Sequence, residues 1–404
     1  MSKKSSSNSL IKSGIIILIA SAIFNITNFF YHFLSARMLG PAEYSIVASL
    51  FSIAYLIAII STTIQNTATK FTADFNAKKE TDKIACFFRR GTNKLLIFSV
   101  PALILYLILS PFIAQFLKIS VIPVLILSPL IILSILVPLN RGILQGLQKF
   151  KSLGANIVIE GAVKLISAFI LIYIGLKASG AIAAVSIALA VAFILTFPSL
   201  NLKKSKKTAI KLESKEIYKF TIISFIALFL MTMIYSIDVF LVKHFFSADN
   251  AGQYAVLSLL GKIVFFGATA IGLVMFPKIS GLKAEKDRKA IFRKSMLFTF
   301  LISFVIVAVY FLFSNLIINI IFGSQYADII PILGFFGIFM LFFSLAYICV
   351  LNKLATGKKR FIWNILAAVI LEIILISIFH SSIEQIVTIL ISLNALLLIS
   401  LIKP

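Results

Sequence analysis

The residues that could do chemistry in this sequence are the few charged side chains that interrupt long apolar runs. Lys164 and Lys262 are two such cations, and Glu160, Asp238 and Glu372 are the acidic residues that fall within apolar runs. A charged group in the hydrocarbon of a membrane is expensive, and it usually faces a bundle interior or a water-filled cavity. The cations are suited to an anionic group such as a phosphate. The carboxylates are candidates for binding a proton or a sodium ion.

Uncharged polar residues lie on the same helix faces as these charges. In the first apolar run, five polar residues fall within an arc of about 80° on a helix with 100° per residue. Asn156 shares a face with Glu160 and Lys164. These faces predict a hydrated cavity, and its candidate residues are Asn25, Asn28, His32, Asn156, Lys164 and Lys262.

Structural roles compete with this interpretation. Small polar residues are common at contacts between membrane helices. Glu160 and Lys164 stand four residues apart, which suits a neutral ion pair along one helix. Asp238 could pair with Lys243 near the outer interface.

The composition identifies the class of protein around these residues. The chain has 60% hydrophobic and 13% charged residues and a mean hydropathy of +1.08, whereas a soluble domain has about 45–50% apolar and about 25% charged residues. Apolar runs of about 20 residues recur, as membrane-spanning helices require. We therefore predict an all-α integral membrane protein.

Twelve spans are predicted along the chain. The first apolar run continues to about Leu34, so it is expected to be an uncleaved span and not a cleaved signal peptide. The spans are Leu10–Ser35, Tyr44–Asn66, Leu95–Ala114, Val121–Leu139, Ser152–Tyr173, Ala178–Phe197, Phe220–Val242, Gln253–Pro277, Ser295–Ile318, Ile330–Val350, Phe361–Phe379 and Gln385–Leu401.

The distribution of lysine and arginine predicts the topology. Of the 38 basic residues, 32 lie in one set of alternate loops and tails, and four lie in the opposite set. Arg141 is counted here as a loop residue. Basic loops stay on the cytoplasmic side of a membrane, so both termini are predicted to be cytoplasmic. The same distribution explains the net charge of +24 without a nucleic-acid partner.

The lysine-rich stretch Asn201–Glu216 interrupts the apolar sequence at its middle. Three segments before it are echoed after it at offsets of about 205–211 residues. Parallel repeats of this kind are typical of transporters with a site between two halves, so we predict two parallel six-helix repeats around a central cavity. The predicted divisions are an N-terminal half (1–200), a cytoplasmic basic linker (201–217) and a C-terminal half (218–404).

Signals of catalysis are absent from the sequence. There is no phosphate-binding loop and no HExxH zinc pair. The three histidines are scattered, and Cys86 and Cys349 lack metal-ligand spacing. We therefore predict a protein that is not an enzyme, with no cofactor and no metal.

Four short motifs are spread along the chain. Arg37–Tyr44 contains an R-x-L-G-P-x-x-Y turn, and Gln145–Phe150 is a Q-G-x-x-K-F loop. Ile237–Leu241 carries the Asp of span seven and is followed by Ala251–Tyr254 at the start of span eight, which closes with Phe276–Ser280. In their order and spacing, these motifs resemble those of polysaccharide-unit flippases in the multidrug/oligosaccharidyl-lipid/polysaccharide exporter superfamily. The resemblance covers nearly the whole chain.

The resemblance implies a flippase that moves lipid-linked oligosaccharide across the cytoplasmic membrane, with membrane lipids and glycan-assembly enzymes as further partners. Lys164 and Lys262 would attract the diphosphate of such a lipid, and Glu160, Asp238 or Glu372 would bind a coupling ion. A multidrug cation antiporter of the same superfamily is the first alternative, and a lipid II flippase is another. A membrane-embedded enzyme of glycan assembly is less compatible, because the outer loops are short.

Overall fold

A computed structural model describes residues 2–200, 215–281 and 284–402 of the chain. Within these ranges all regular structure is helical, which confirms the predicted all-α class. Residues 201–214 of the predicted linker lie outside the described ranges. Lys215 and Glu216, which were also assigned to the linker, lie in the first turn of a helix.

Thirteen α-helices follow one another through the described residues, with short π-helical and 3₁₀ segments between some of them. A π-helical segment covers Ile172–Leu176, another covers Ile318–Phe322, and a 3₁₀ segment covers Ser324–Ile329. The α-helices are α1 Ser2–Ala77, α2 Thr81–Leu117, α3 Val121–Leu127, α4 Pro129–Gly146, α5 Phe150–Leu171, α6 Lys177–Leu200, α7 Lys215–Ile234, α8 Ile237–Phe245, α9 Ala248–Gly281, α10 Glu285–Ile317, α11 Leu333–Ala355, α12 Phe361–Ile378 and α13 Ile383–Ile402.

The lengths of these helices account for about twelve membrane crossings. Nine helical stretches within the described ranges are long and apolar enough to cross a membrane. Two of them, Ile19–Asn76 and Phe150–Leu200, have 58 and 51 residues, whereas one crossing takes about 20 residues. Each contains a glycine with non-helical backbone angles, so each supplies two crossings. Together with the 34-residue helix α9, they agree with the predicted number of spans.

The turn between the first two spans is set by Gly40 and Pro41. Gly40 has φ 73° and ψ 174°, a conformation that glycine adopts readily and other residues adopt at a cost. Pro41 follows at the first helical position, where its missing N–H breaks no helical hydrogen bond. The tight turn predicted from the sequence is therefore present at this position.

The described chain forms two compact units. Unit 1 consists of Met1–Leu39 and Ala54–Lys215, and unit 2 consists of Gly40–Ile53 and Glu216–Pro404. The segment Gly40–Ile53 thus packs with the C-terminal helices, although the sequence analysis assigned it to the N-terminal half. Its Pro41 lies directly against Gly252 of α9, where a β-carbon on the glycine would approach the Pro41 carbonyl oxygen to 1.9 Å.

Each unit has an apolar interior and a lipid-facing exterior. In unit 1, Ile84, Leu139, Ile143 and Leu153 pack together from α2, α4 and α5. In unit 2, α9, α10 and α11 pack against one another, and Gly261 of α9 lets α11 approach closely. The outward faces of α2 and α10 carry exposed large apolar side chains, as expected for surfaces solvated by lipid.

Replacing Gly252 with alanine should destabilise unit 2. The new methyl group would overlap the Pro41 backbone, and overpacking of this kind costs about 1–3 kcal/mol. We expect a lower apparent melting temperature for purified Gly252→Ala in detergent. Gly91→Ala is the matched control, because its β-carbon would lie 3.4 Å from the nearest side-chain atom, Leu139 Cδ1. Equal melting temperatures for the two variants would contradict this account of the turn.

Candidate functional site

In unit 1, two glycines bring α5 close to α1. A β-carbon at Gly161 would lie 2.3 Å from the Thr27 hydroxyl oxygen, and one at Gly154 would lie 3.2 Å from Ile16. Small residues at such spacing allow the backbones of membrane helices to approach closely. The side chains one turn further along α5 are therefore held against the middle of α1.

Lys164 of α5 contacts α1 at this point. Its ammonium group donates a hydrogen bond to the side-chain oxygen of Asn28. Its Nζ also lies 5.2 Å from the ring centre of Phe24 and 5.0 Å from that of Tyr31. A cation over aromatic faces is stabilised electrostatically, more strongly where water is excluded. Lys164 is buried, so one amide and two rings replace its hydration.

Glu160 pairs with Arg141 and not with Lys164, so the predicted ion pair along α5 is wrong. Arg141 Nη2 lies 2.5 Å from Glu160 Oε2, and the two side chains are 13% and 10% exposed. Arg141 Nε also donates to Asn156 Oδ1 at 2.8 Å, and Asn156 Nδ2 donates to the Ala192 carbonyl oxygen at 2.8 Å. Glu160 and Asn156 thus belong to one network centred on Arg141.

Arg141 is the residue that the sequence analysis missed. It was counted among the basic loops because the apolar run was taken to end at Leu139, but helix α4 continues to Gly146. Glu160 could have indicated the role of Arg141, because a carboxylate predicted within a span requires a cationic partner. Without Arg141, the number of basic residues in the predicted cytoplasmic loops falls by one, and these loops still contain most of the lysine and arginine.

The other two candidates in unit 1 also lie on α1, and the His32 ring packs edge-on against the ring of Tyr31, with 5.0 Å between ring centres. His32 is buried one turn beyond Asn28, and Asn25 is exposed on the helix surface. Asn28 and Lys164 are therefore the pair of predicted cavity residues that the fold brings into direct contact.

In unit 2, the seventh span is broken into two helices. Helix α7 ends at Ile234 and α8 begins at Ile237, which puts Asp238 in the first turn of a new helix. The free N–H groups and the dipole at a helix N-terminus favour a carboxylate. Broken membrane helices are a recurring feature of ion and substrate sites in transporters.

Asp238 forms the centre of a buried polar cluster. It is fully buried, and its Oδ2 accepts a hydrogen bond of 2.6 Å from the Tyr254 hydroxyl. The side-chain donor to this oxygen is therefore Tyr254 and not Lys243. Its other oxygen, Oδ1, has no hydrogen-bond partner among the described residues.

Glu372 supplies a second carboxylate to this cluster. Helix α12 packs against α8, and Glu372 lies within electrostatic range of Asp238. It is buried, and its Oε1 has no hydrogen-bond partner in the described part of the chain. Two buried carboxylates repel each other, and a proton or a cation that binds between them removes that cost.

Lys262 is a buried cation of unit 2, in which Lys243 of α8 is buried as well. It lies two turns beyond Tyr254 on α9, within electrostatic range of Asp238. Its Nζ is 5.5 Å from the ring centre of Tyr235, which stands at the break between α7 and α8. Each unit therefore carries a buried lysine beside an aromatic ring, and unit 2 adds two buried carboxylates.

Comparison with solved structures identifies the fold. An inward-facing multidrug resistance MATE family transporter of the MOP superfamily has a TM-score of 0.77 at 13% identity, over 96% of this chain and 95% of that chain. An outward-facing transporter of the same description has a TM-score of 0.67 at 13% identity, over 97% and 93%. The chain is a multi-pass membrane protein with the fold of these transporters.

Sequence comparison then identifies the family. The family described as polysaccharide biosynthesis protein matches residues 34–331, and the chain belongs to that family. An uncharacterised membrane protein of Methanocaldococcus jannaschii is 25% identical over 68% of this chain and 69% of its own length. A protein of Shigella flexneri named as a candidate O-antigen transporter is 34% identical over 93 residues, which cover 22% of this chain and 21% of that protein. The family and the fold agree with the resemblance predicted from the sequence motifs.

Removing Arg141 should destabilise unit 1, because it leaves the Glu160 carboxylate buried without a cation. Loss of one partner of a buried pair costs about 3–5 kcal/mol, whereas an exposed pair contributes about 0–1 kcal/mol. We expect Arg141→Met to unfold at a lower denaturant concentration, with Arg141→Met/Glu160→Gln recovering part of the loss. Lys83→Met is the control, because its pair with Glu80 is 37% and 30% exposed. A loss for Arg141→Met no larger than that for Lys83→Met would contradict this account.

Proposed function

We propose that the protein is a flippase that moves a polyprenyl-diphosphate-linked oligosaccharide from the cytoplasmic to the outer leaflet of the cytoplasmic membrane by alternating access. Such a substrate has a head of sugars and diphosphate that cannot cross hydrocarbon, and a tail that can remain in it. The membership of the polysaccharide biosynthesis family and the resemblance to flippase motifs support this substrate class. The transported lipid would serve the assembly of a surface polysaccharide or glycan.

The observation that carries the proposal is a buried lysine beside an aromatic ring in each unit. Lys164 and Lys262 are held in the interior of their units by aromatic rings, where a charge persists only if it has a role that offsets its desolvation. An ammonium group binds phosphate as a point charge. In our proposal these lysines bind the diphosphate, while Asn25, Asn28 and His32 offer hydrogen bonds to sugar hydroxyls. Asn156 is the weaker candidate, because it is already bonded to Arg141 and to the Ala192 carbonyl oxygen.

The carboxylates of unit 2 are proposed to couple transport to an ion gradient. Asp238 and Glu372 each have one oxygen without a partner among the described residues, so they can accept a proton or a sodium ion. Glu160 is the weaker candidate of the three, because Arg141 already neutralises it. Binding of the ion would change the charge of the cluster, and with it the stability of one transporter conformation relative to the other.

The orientation follows from the basic loops. Lysine and arginine accumulate in alternate segments of the sequence, so we propose that both termini lie in the cytoplasm. The cytoplasmic leaflet is also where enzymes that assemble lipid-linked sugars would deliver the substrate. These enzymes are the proposed partners, and neither a nucleic acid nor a catalytic role for this chain is part of the proposal.

A multidrug cation antiporter is the competing function, because the solved relatives with this fold are multidrug resistance transporters. A site for organic cations needs acidic or apolar surroundings. Two buried lysines oppose such a site and favour an anionic head group. A lipid II flippase and a membrane-embedded enzyme of glycan assembly are the remaining alternatives from the sequence.

Substitution of either buried lysine should impair transport without preventing folding. We expect Lys164→Ala and Lys262→Ala each to slow transport by tenfold or more, because loss of about 1.4 kcal/mol of phosphate binding lowers affinity about tenfold. Purified protein is reconstituted in liposomes with a labelled polyprenyl-diphosphate oligosaccharide, and exposure of the sugar is followed with a membrane-impermeant glycosidase.

Two controls accompany this assay. Lys289→Ala removes an exposed lysine of the same charge and should transport at the wild-type rate, and Lys164→Arg tests whether a cation suffices. Wild-type transport by both alanine variants would remove the cationic site from the proposal. Gradient-driven efflux of a cationic dye, without any oligosaccharide exposure, would assign the protein to the drug antiporters.

Neutralising the carboxylate cluster should uncouple transport from the ion gradient. Asp238→Asn and Glu372→Gln each keep the side-chain shape but remove a charge, so we expect the stimulation of transport by a proton or sodium gradient to fall severalfold. Basal exchange of substrate should persist in both variants. Glu160→Gln is the comparison, since its carboxylate is already paired with Arg141. An unchanged gradient response in both Asp238→Asn and Glu372→Gln would exclude this cluster as the coupling site.

A further inference from the structure

Unit 1 contains a cavity that is distinct from the polar residues described above. It has a volume of about 600 Å³ and lies between α1, α2 and α4. This volume falls within the about 300–1,000 Å³ typical of sites for small molecules. Lys164 and Asn28 do not line it, so its occupant need not be the transported head group.

The interior of the cavity is apolar. Its walls include Ile64 and Leu139. Thr63 and Thr67 also line it, but their hydroxyl groups donate to the carbonyl oxygens of Ile59 and Thr63 on their own helix, at 3.0 and 2.8 Å. Hydroxyls bonded in this way satisfy their polarity within α1 and leave the walls suited to a hydrocarbon chain.

The mouth of the cavity is basic. Arg90 and Lys94 stand one turn apart on α2, and both line the cavity and are exposed. Neither forms an ion pair with a side chain in the described part of the chain. They lie just before the apolar part of α2, where Ile97 and Phe98 are 68% and 67% exposed, so we expect the cations at the level of the lipid head groups.

We propose that this cavity binds one anionic phospholipid of the bilayer, with its phosphate held by Arg90 and Lys94 and one acyl chain inserted between α1, α2 and α4. Basic pockets between membrane helices on the cytoplasmic side suit acidic lipid head groups. The apolar interior suits the acyl chain of such a lipid, and the two adjacent cations suit its phosphate. A zwitterionic lipid lacks the net charge that these cations attract.

The bound lipid would stabilise the packing of the three helices. Ala68 and Leu139, which line the cavity, also belong to the buried core of unit 1. A chain in the cavity supplies contacts that an empty space cannot. This inference stands independently of the transported substrate, and its test does not use transport.

The experiment uses the full chain in vesicles of phosphatidylcholine that contain a phosphatidylglycerol probe with a diazirine in one acyl chain. After illumination, mass spectrometry locates the labelled residues. We expect labels on the cavity walls of α1 and α2, with labelling reduced at least about tenfold in Arg90→Gln/Lys94→Gln, since both attractive cations are lost. Unlabelled phosphatidylglycerol should compete, and unlabelled phosphatidylcholine should not.

Two further variants separate a built site from general attraction to the membrane. Arg293→Gln/Lys294→Gln removes the same charge from the exposed start of α10 and should leave labelling unchanged. Gly91→Leu fills the cavity towards Leu139 while keeping both cations, and it should reduce labelling. Gel filtration and melting temperature verify that each variant is folded.

Three results would overturn the proposal. A phosphatidylcholine probe that labels the same residues equally would indicate ordinary lipid contact. Labelling that survives Arg90→Gln/Lys94→Gln or a folded Gly91→Leu would place the lipid outside the cavity. Displacement of the probe by polyprenyl diphosphate, but not by phosphatidylglycerol, would show that the cavity holds the transported lipid and not a bilayer phospholipid.

Discussion

The cost of placing charge in a low-dielectric interior governs this structure. Each charged side chain within a span requires a partner, a cluster or access to a polar space, because water is not available to solvate it. Arg141 and Glu160 satisfy the requirement as an ion pair. Lys164 satisfies it with an amide and two aromatic rings. The polar chemistry of the protein is confined to a few places where helices pack closely enough to provide such partners.

Unit 1 and unit 2 stabilise their buried charges in different ways. In unit 1 the cations outnumber the carboxylates around α5, and the carboxylate is neutralised internally. In unit 2 the break between α7 and α8 creates a helix N-terminus for Asp238, and Glu372 adds a second carboxylate with an unsatisfied oxygen. An unsatisfied buried oxygen is unfavourable unless it acquires a proton or a cation. This asymmetry is the physical reason for assigning anion binding to the lysines and ion coupling to the carboxylates.

Much of the fold and part of the site could be predicted from residue types and spacing. The spans followed from apolar runs, and the Gly40–Pro41 turn followed from two residues with restricted backbone preferences. Asn28 and Lys164 were predicted on polar faces, and they meet. Arg141 was misassigned because a span boundary read from hydropathy is uncertain by several residues, and α4 continues beyond its apolar part. The partner of Glu160 was therefore sought on α5 itself.

By itself, the sequence determined the class of protein, the number of crossings, and the face of each helix that carries polar groups. The length, the hydropathy and the 3.6-residue period of a helix are local properties, so they can be obtained from the sequence without knowing how the helices pack. Only the tertiary structure decided which faces meet. Asn28 and Lys164 are separated by 136 positions, and Glu372 joins Asp238 from a helix far along the chain. The close packing of helices that are distant in sequence, at glycines such as Gly161 and Gly252, selects these partners, and no local pattern contains that information.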